Sequence, residues 1–547
     1  MEQPPRPSTE DAVALQEVPP EERAPAPERN GGWFARFLGT VEWLGNLLPH
    51  PVTLFALFAL GVVLLSGVAG GLEWSVADPR PEGARGRSET GTIDAVSLLN
   101  GDGLRRIVEG LVSNFVNFVP LGTVLVAMLG VGVAEKSGVI SAAIRSLVLR
   151  APRNLLTLAI VFAGVVSNTA SEAGYVILVP LAGVIFLAVG RHPIAGMAAA
   201  FAGVSGGYSA NLLIGTVDPL LAGITQEAAQ LIDPGYTVHP AVNWYFMFVS
   251  TFLITGVGTW VTHRIVEPKL GAYDGRDAEE GVMDNRSMEP LSDAERRGLR
   301  WAGYSVLAVS ALIALAVVPE WGVLRDPETR DVLNSPFLRG MVALIFVFFL
   351  VPGVVYGRVT GTMRSDRDVI DGMSGAMSAL GLYIVLVFFA AQFVAFFGWT
   401  NLGGIVAVTG ADVLTAIGLT GPLVFLPFIL MCCFVNLMLG SASAQWAVTA
   451  PIFVPMLMLL GYSPEVVQAA YRIGDSTTNI ITPMMSYFGL ILAFAARYDR
   501  KLGIGTVVAT MLPYTLFFLT GWVALFYLWV FGLGLPVGPQ APTFYTP

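Results

Sequence analysis

Cysteine, histidine and charge are all scarce in this chain of 547 residues, with two cysteines, four histidines, and only 13% Asp, Glu, Lys and Arg together. The cysteines, Cys432 and Cys433, are adjacent in an apolar stretch, which is neither metal-ligand spacing nor a disulfide framework. They read as packing residues. The histidines, His50, His192, His239 and His263, stand far apart, and no His-Glu-x-x-His occurs. Zinc-protease chemistry is thereby excluded. No glycine-rich stretch ends in Gly-Lys-Ser or Gly-Lys-Thr, so the chain has no loop for the phosphates of ATP. Net charge is -9, which argues against a nucleic-acid partner. The first 32 residues are acidic and Pro-rich rather than basic then apolar, so no cleavable signal peptide is expected.

What is abundant is hydrocarbon. Hydrophobic residues make up 54% of the chain and mean hydropathy is +0.66, far from the balance of a soluble domain. The reading is an all-α polytopic protein whose solvent is the lipid bilayer. Residues 1–32 lack apolar periodicity and read as a disordered cytoplasmic tail. Trp33–His50 carries Trp33, Phe37, Trp43 and Leu44 at helical spacing, which suits an interfacial helix. Val52–Leu72 and Ile107–Ala134 are each long enough to span about 30 Å of hydrocarbon. Between them Glu73–Arg106 reads as an exposed polar loop. Lys136, Arg145, Arg150 and Arg153 mark the next linker as cytoplasmic, which places the N-terminus on the cytoplasmic side too.

Regular spans then give way to broken ones. In 154–189, two apolar arms flank Ser167-Asn-Thr-Ala-Ser-Glu172, with Arg153 and Arg191 at the outer ends, and a re-entrant hairpin fits both ends. In 193–221 the run is interrupted by Ser205-Gly-Gly-Tyr-Ser-Ala-Asn211 and reads as a broken helix, with Asp218 as a helix-end residue. Trp244–Val266 completes a first membrane repeat, 33–266, and a cytoplasmic linker, 267–300, follows. The second repeat, 301–533, holds spans at Trp301–Val318, Leu338–Tyr356 and Met377–Phe397, a hairpin at 421–460, a broken helix at 464–496 and a last span at Val507–Leu533. A tail, 534–547, remains. Gln392 reads as hydrogen-bonding glue between helices.

The order of hairpin, then broken helix, occurs twice. Ser167–Glu172 answers Ser441-Ala-Ser-Ala-Gln-Trp446, and Gly207–Asn211 answers Gly474-Asp-Ser-Thr-Thr-Asn479. Five expected crossings separate the hairpins, so the second enters from the opposite face. That is an inverted repeat of nine transmembrane helices and two hairpins, a plan that puts broken helices and substrate near the midplane. Polar, irregular backbone survives at that depth only inside protein or beside a wet cavity. A secondary active transporter is the reading that follows. An intramembrane enzyme or a channel is the contrasting class: none of the four histidines lies among the irregular elements, which speaks against the first, and a channel would need a continuous polar path, whereas each polar cluster here is confined to one depth.

Each polar residue has two readings. Glu172 and Asp475 are carboxylates in apolar surroundings, where charge marks an ion, proton or substrate path; Asp475 is also placed to pair with Arg472 at i−3 on its own helix. Arg472 suits a substrate carboxylate or the neutralisation of Asp475. Ser167, Asn168, Thr169, Ser171, Ser441 and Ser443 are helix caps, or donors aimed at an anion. Asn211 and Asn479 offer oxygens to a Na⁺ site together with Glu172 and Asp475, or hydrogen bonds within the bundle. Trp446 is placed to stack on an aromatic ring or to pack.

From Leu121-Gly-Thr-Val-Leu-Val-Ala-Met-Leu-Gly-Val-Gly-Val-Ala-Glu-Lys-Ser-Gly138 through the Ser167, Ser205, Ser441 and Arg472 stretches, the chain resembles the p-aminobenzoyl-glutamate transporter (AbgT) family. The resemblance implies homodimers, a scaffold and a moving transport domain. It implies H⁺- or Na⁺-coupled movement of p-aminobenzoyl-glutamate or, in other members, export of p-aminobenzoate-like compounds and sulfonamides, with no cofactor. It carries functional positions onto Asn436, Ser443, Trp446, Pro464, Arg472, Asp475 and Pro483. Glu172 stands where the family pattern has Asp, which keeps the charge and adds a methylene.

Overall fold

The computed structural model describes residues 49–170, 174–279, 290–332 and 335–546. The acidic head, nearly all of the expected interfacial helix, Ser171, Glu172 and the middle of the central linker lie outside them. Helix α1 (Pro51–Gly71) begins at a proline, whose missing N–H costs nothing in a first turn. It is apolar all round. Phe55 and Phe58 turn inward onto Phe393, with ring centroids 6.1 and 5.6 Å away, while Leu57, Leu60, Leu64 and Leu65 are exposed. Such a helix has solvent only in lipid.

The connection after α1 is more ordered than its polarity suggests. Strands β1 (Ser75–Ala77) and β2 (Thr92–Asp94) pair antiparallel, Val76 opposite Ile93. Asp78 and Arg80 form a buried ion pair at 2.6 Å, and Arg80 Nη1 also donates to the Ile232 carbonyl. The expected span 107–134 is two helices, α2 (Gly101–Val116) and α3 (Val119–Ser137). Pro120 cannot donate to the preceding turn, so the ladder stops at Asn117, and the freed Val119 N–H is taken by Glu227 Oε1 at 3.2 Å. The basic linker beyond is a helix too, α4 (Val139–Leu149). Its axis lies 115° from the span that follows.

The first hairpin is α5 (Leu156–Ser167), a 3-10 turn at Asn168–Ala170, a π turn at Gly174–Leu178 and α6 (Val179–Ala188). The first broken helix is α7 (Pro193–Phe201), a π turn at Ala202–Gly206, irregular backbone, and α8 (Val217–Ala229), which runs further than the 221 expected from sequence. Helix α9 (Trp244–Val261) closes the half. In the second half α10 (Asp293–Val317) starts at a capping box made by Ser292 and Glu295. Then come α11 (Met341–Thr360), α12 (Asp366–Ala379) and α13 (Gly381–Trp399), with Gln392 bridging to Asn114 and Leu111 of α2 as expected. A fifteen-residue helix absent from the sequence reading, α14 (Leu402–Ala416), precedes the second hairpin.

That hairpin is α15 (Phe425–Leu439) and α16 (Ala442–Leu459), joined at Gly440 and Ser441. Gly440 has φ 57°, and a β-carbon there would lie 2.7 Å from the Met484 backbone, so the tip demands glycine. The second broken helix is α17 (Pro464–Thr478), irregular backbone, and α18 (Phe488–Ala496), followed by α19 (Ile504–Phe526). Among the described residues nine helices are long and apolar enough to cross a membrane, two of them the arms of the second hairpin. At the centre stands α17. Every one of its residues is buried, although Gln468, Arg472, Asp475 and four residues of Ser, Thr or Glu are among them.

Candidate functional site

Both hairpins are tied to their broken helices by one device. In the first half Asn168 Nδ2 donates to the Val204 carbonyl (2.9 Å) and Thr169 Oγ1 to Asn211 Oδ1 (2.8 Å). In the second half Asn436 Nδ2 donates to the Asp475 carbonyl (2.6 Å), to Thr478 Oγ1 and to Asn479 Oδ1 (both 2.9 Å). Backbone carbonyls freed where a helix breaks must find donors inside the membrane. The asparagines supply them. The two broken helices then meet each other, the Ser209 N–H donating to Ser476 Oγ at 3.1 Å.

The charged centre differs from the one the sequence suggests. Arg472 pairs not with Asp475 but with Asp218 of α8, Nη2 to Oδ1 at 2.6 Å, both side chains buried. Asp218, read from sequence as a helix-end residue, does sit in the first turn of α8, where its other oxygen accepts the Gly215 N–H at 2.7 Å. Its carboxylate thus serves a cap and an ion pair at once. Asp475 is left with two buried oxygens that no protein group hydrogen-bonds, because the Tyr471 hydroxyl one turn back donates to the Ala442 carbonyl (2.6 Å). Arg472 Nε is also unpartnered. Buried polar atoms are seldom left so, and three of those in the described residues fall on this one turn of α17.

Trp446 is wholly buried. Its ring stacks on Tyr471 at 4.3 Å and its Nε1 donates to Thr225 of α8 at 2.9 Å, so face and N–H are both engaged by protein. In this conformation Trp446 buttresses the Arg472 turn rather than facing a cavity. Ser167 Oγ caps its own helix on the Gly164 carbonyl (2.6 Å). Ser441 and Ser443 are half-buried at the second tip, 3.4 Å apart, and Pro483 is half-buried in the break between α17 and α18. Of the four residues expected around Na⁺, Glu172 lies outside the described residues, and Asn211 and Asn479 spend their oxygens on Thr169 and Asn436. Asp475 alone presents free oxygens, and no group of three His, Cys, Asp or Glu able to hold a metal occurs among the described residues.

Two further features were not foreseen. A cleft of about 420 Å³ opens beside Thr169, lined by apolar side chains that include Leu213, Ile214, Trp244, Met341 and Phe349. It offers an aromatic ring an apolar surface next to the first tip. Gly203-Val-Ser-Gly-Gly207 has the spacing of a serine-hydrolase elbow. It lies in the π turn and the residue after it, with helix rather than strand before it and no histidine among its hydrogen-bond partners, so the spacing is coincidental. The signal that would have found Asp218 is the one that found Asp475, a lone acid in an apolar run.

Over residues 36–545 the chain matches the model of the AbgT putative transporter family. It is 38% identical over 504 residues to the p-aminobenzoyl-glutamate transport protein of Escherichia coli K12, covering 92% of this chain and 96% of that protein. Its fold is similar to that of Neisseria gonorrhoeae MtrF, described as illuminating a class of antimetabolite efflux pumps. The TM-score is 0.87 and the identity 60%, across 93% of this chain and all of the other. The Alcanivorax borkumensis YdaH transporter is also similar, with TM-score 0.81 and 46% identity over 90% of this chain and all of the other.

Proposed function

Since the chain belongs to the AbgT transporter family, we propose that it is an ion-coupled secondary transporter of a small aromatic carboxylate of the p-aminobenzoyl-glutamate or p-aminobenzoate type. The observation that carries this reading is the turn Arg472–Asp475 on α17. It holds a buried guanidinium with an N–H to spare and a buried carboxylate with no hydrogen-bond partner. Guanidinium is suited to a carboxylate substrate. A lone buried carboxylate is suited to the coupling cation, H⁺ or Na⁺. In this account the substrate's carboxylate competes with Asp218 for Arg472, the cation occupies Asp475, and the donors of the two hairpin tips hold the broken helices in register as access alternates. The protein works in the bacterial inner membrane as a homodimer, its N-terminus cytoplasmic.

A second reading, export of p-aminobenzoate-like or sulfonamide antimetabolites, is favoured by one observation: identity to the efflux pump MtrF is 60%, against 38% to the p-aminobenzoyl-glutamate transporter. The same site serves either direction. The test is movement of labelled p-aminobenzoyl-glutamate and p-aminobenzoate in liposomes under imposed H⁺ or Na⁺ gradients, for wild type and Asp475→Asn. Saturable, gradient-driven movement of one compound, abolished by the substitution, is expected. Movement unaffected by Asp475→Asn would remove Asp475 from the coupling, and no movement of either compound would defeat the substrate assignment.

A further inference from the structure

Helix α17 carries more buried polarity than the Arg472 turn needs. Glu465, Gln468, Arg472 and Asp475 are all buried, and at about 100° per residue they fall within an arc of about 80° on one face. At about 1.5 Å per residue they extend over about 15 Å. Facing them is a second series from α8 and the loop after it. The Tyr236 hydroxyl lies 3.0 and 2.9 Å from the two Glu465 oxygens, Thr225 Oγ1 lies 2.6 Å from Gln468 Oε1, and Asp218 lies 2.6 Å from Arg472. Hydrogen-bonding capacity is left over on this face, at Gln468 Nε2, Arg472 Nε and both Asp475 oxygens. The series begins at the surface, because Pro234, Gly235 and Thr237 around Tyr236 are exposed.

We propose that Glu465 is a second proton-binding carboxylate of this chain, the outer station on the buried polar face of α17 along which H⁺ reaches the Asp218, Arg472 and Asp475 cluster. An acid in a first helical turn does help the unpaired amides there, but a glutamine would accept the same tyrosine hydrogen bond without a charge to bury. The groups around Glu465 are Tyr236, Ser463 and Asn243, with Asp233 and Tyr545 behind the tyrosine and the Arg80 and Arg85 guanidiniums beyond them against Ile232 and Gly235; none of the hydrogen bonds to Glu465 comes from a basic side chain. A proton is therefore the cation this carboxylate can accept from the loop. Only O–H bonds change: hydronium at the loop gives its proton to a Glu465 carboxylate oxygen and leaves as water, and Glu465 then gives it up through water to an Asp475 oxygen, the one O–H breaking as the next forms, with the imposed gradient supplying the drive. Na⁺ would need an oxygen shell throughout and would have to pass the Arg472 guanidinium. The inference rests on the coupled-transport reading above and adds a second titrating carboxylate and its way in.

The experiment pairs infrared titration of the purified full-length protein with proton-driven transport in liposomes. Wild type is expected to show a protonated-carboxyl band that titrates with bulk pH and is missing in Glu465→Gln. That variant, with an unchanged melting temperature in detergent, should lose about tenfold or more in proton-driven rate together with the dependence of that rate on outer pH, and Glu465→Asp should recover the dependence. Gln468→Leu should keep the band and lose the rate. A band that survives Glu465→Gln, or a Glu465→Gln variant with wild-type rate and pH profile, overturns the proposal. If wild type moves no substrate under any gradient, the transport reading fails, and the infrared band still decides for or against Glu465.

Discussion

Asp218→Asn removes the charge that balances Arg472 while keeping the shape of the side chain and an oxygen for the Gly215 N–H. Two unit charges about 4 Å apart attract by about 4 kcal/mol at an effective dielectric near 20, and deleting one member of a buried pair costs about 3–5 kcal/mol. Both side chains are buried, so solvent does little to screen the loss. The single variant should melt well below wild type in detergent. Adding Arg472→Met removes the orphaned charge, and most of the lost stability should return. Transport should not. If Arg472 holds the substrate's carboxylate, the double variant forfeits charge-assisted hydrogen bonds of up to about 3 kcal/mol, about a hundredfold in apparent affinity. Measuring melting and liposome transport on the same preparations separates the two roles. A double variant that regains both stability and near-wild-type transport would refute the assignment of Arg472 to substrate and reduce the pair to a structural one.

Trp446→Phe keeps most of the stacking on Tyr471 and loses the Nε1 bond to Thr225, for about 1–2 kcal/mol of stability; an unchanged melting temperature would mean the indole N–H is not held as described. Gly440→Ala forces a β-carbon into a left-handed tip against Met484 and should cost about 1–3 kcal/mol and lower transport, with Gly440→Asn the milder variant because asparagine tolerates that conformation. In the loop between α1 and α2, burial pushes the Asp78 carboxyl up, but hydrogen bonds from Arg80 and its charge outweigh this and hold it below the usual carboxylate range. A group depressed in the folded state stabilises above its unfolded value and loses that contribution as pH falls through the folded one. Proteolysis of this loop should therefore rise only in strong acid, and Asp78→Asn should show the raised rate at neutral pH as well.

Much of this architecture is legible in the sequence because lipid leaves so few choices. Apolar runs such as 52–72 had to be helices, and Gly, Ser, Asn and Thr clusters inside such runs had to mark breaks sheltered by protein. Among the described residues helices stop or turn irregular at those clusters, α5 at Ser167, α7 at Phe201, α15 at Leu439 and α17 at Thr478. What the sequence hides is pairing across it. Arg472 and Asp475 share a helix face, so local spacing favours their contact, yet the guanidinium reaches a carboxylate 254 residues away. Helix α14 was invisible for a different reason: fifteen residues are too few to span, so length filtered it out. Glu465 and Gln468 went unmarked because they lie in the first turns of a helix, where polar residues are ordinary; only their burial makes them unusual.

The two halves interlock rather than lie side by side. Trp446 of the second hairpin bonds Thr225 of the first broken helix, and Tyr175 of the first hairpin stacks on Tyr487 of the second broken helix, 4.7 Å apart and nearly parallel. Each hairpin is thus fastened to its own broken helix by asparagine or threonine and to the other half by an aromatic ring. The symmetry stops at charge. Where the second half has Asp475 between Gly474 and Ser476, the matching stretch Gly207-Tyr-Ser has Tyr208, and the first half contributes its acid, Asp218, from beyond the break instead. Arg472 of the second repeat is therefore paired with a carboxylate of the first, while the carboxylate of its own repeat, Asp475, is left without a hydrogen bond. An anion that takes Arg472 from Asp218 weakens the link between α8 and α17, so that binding at this one position bears directly on how the halves hold together.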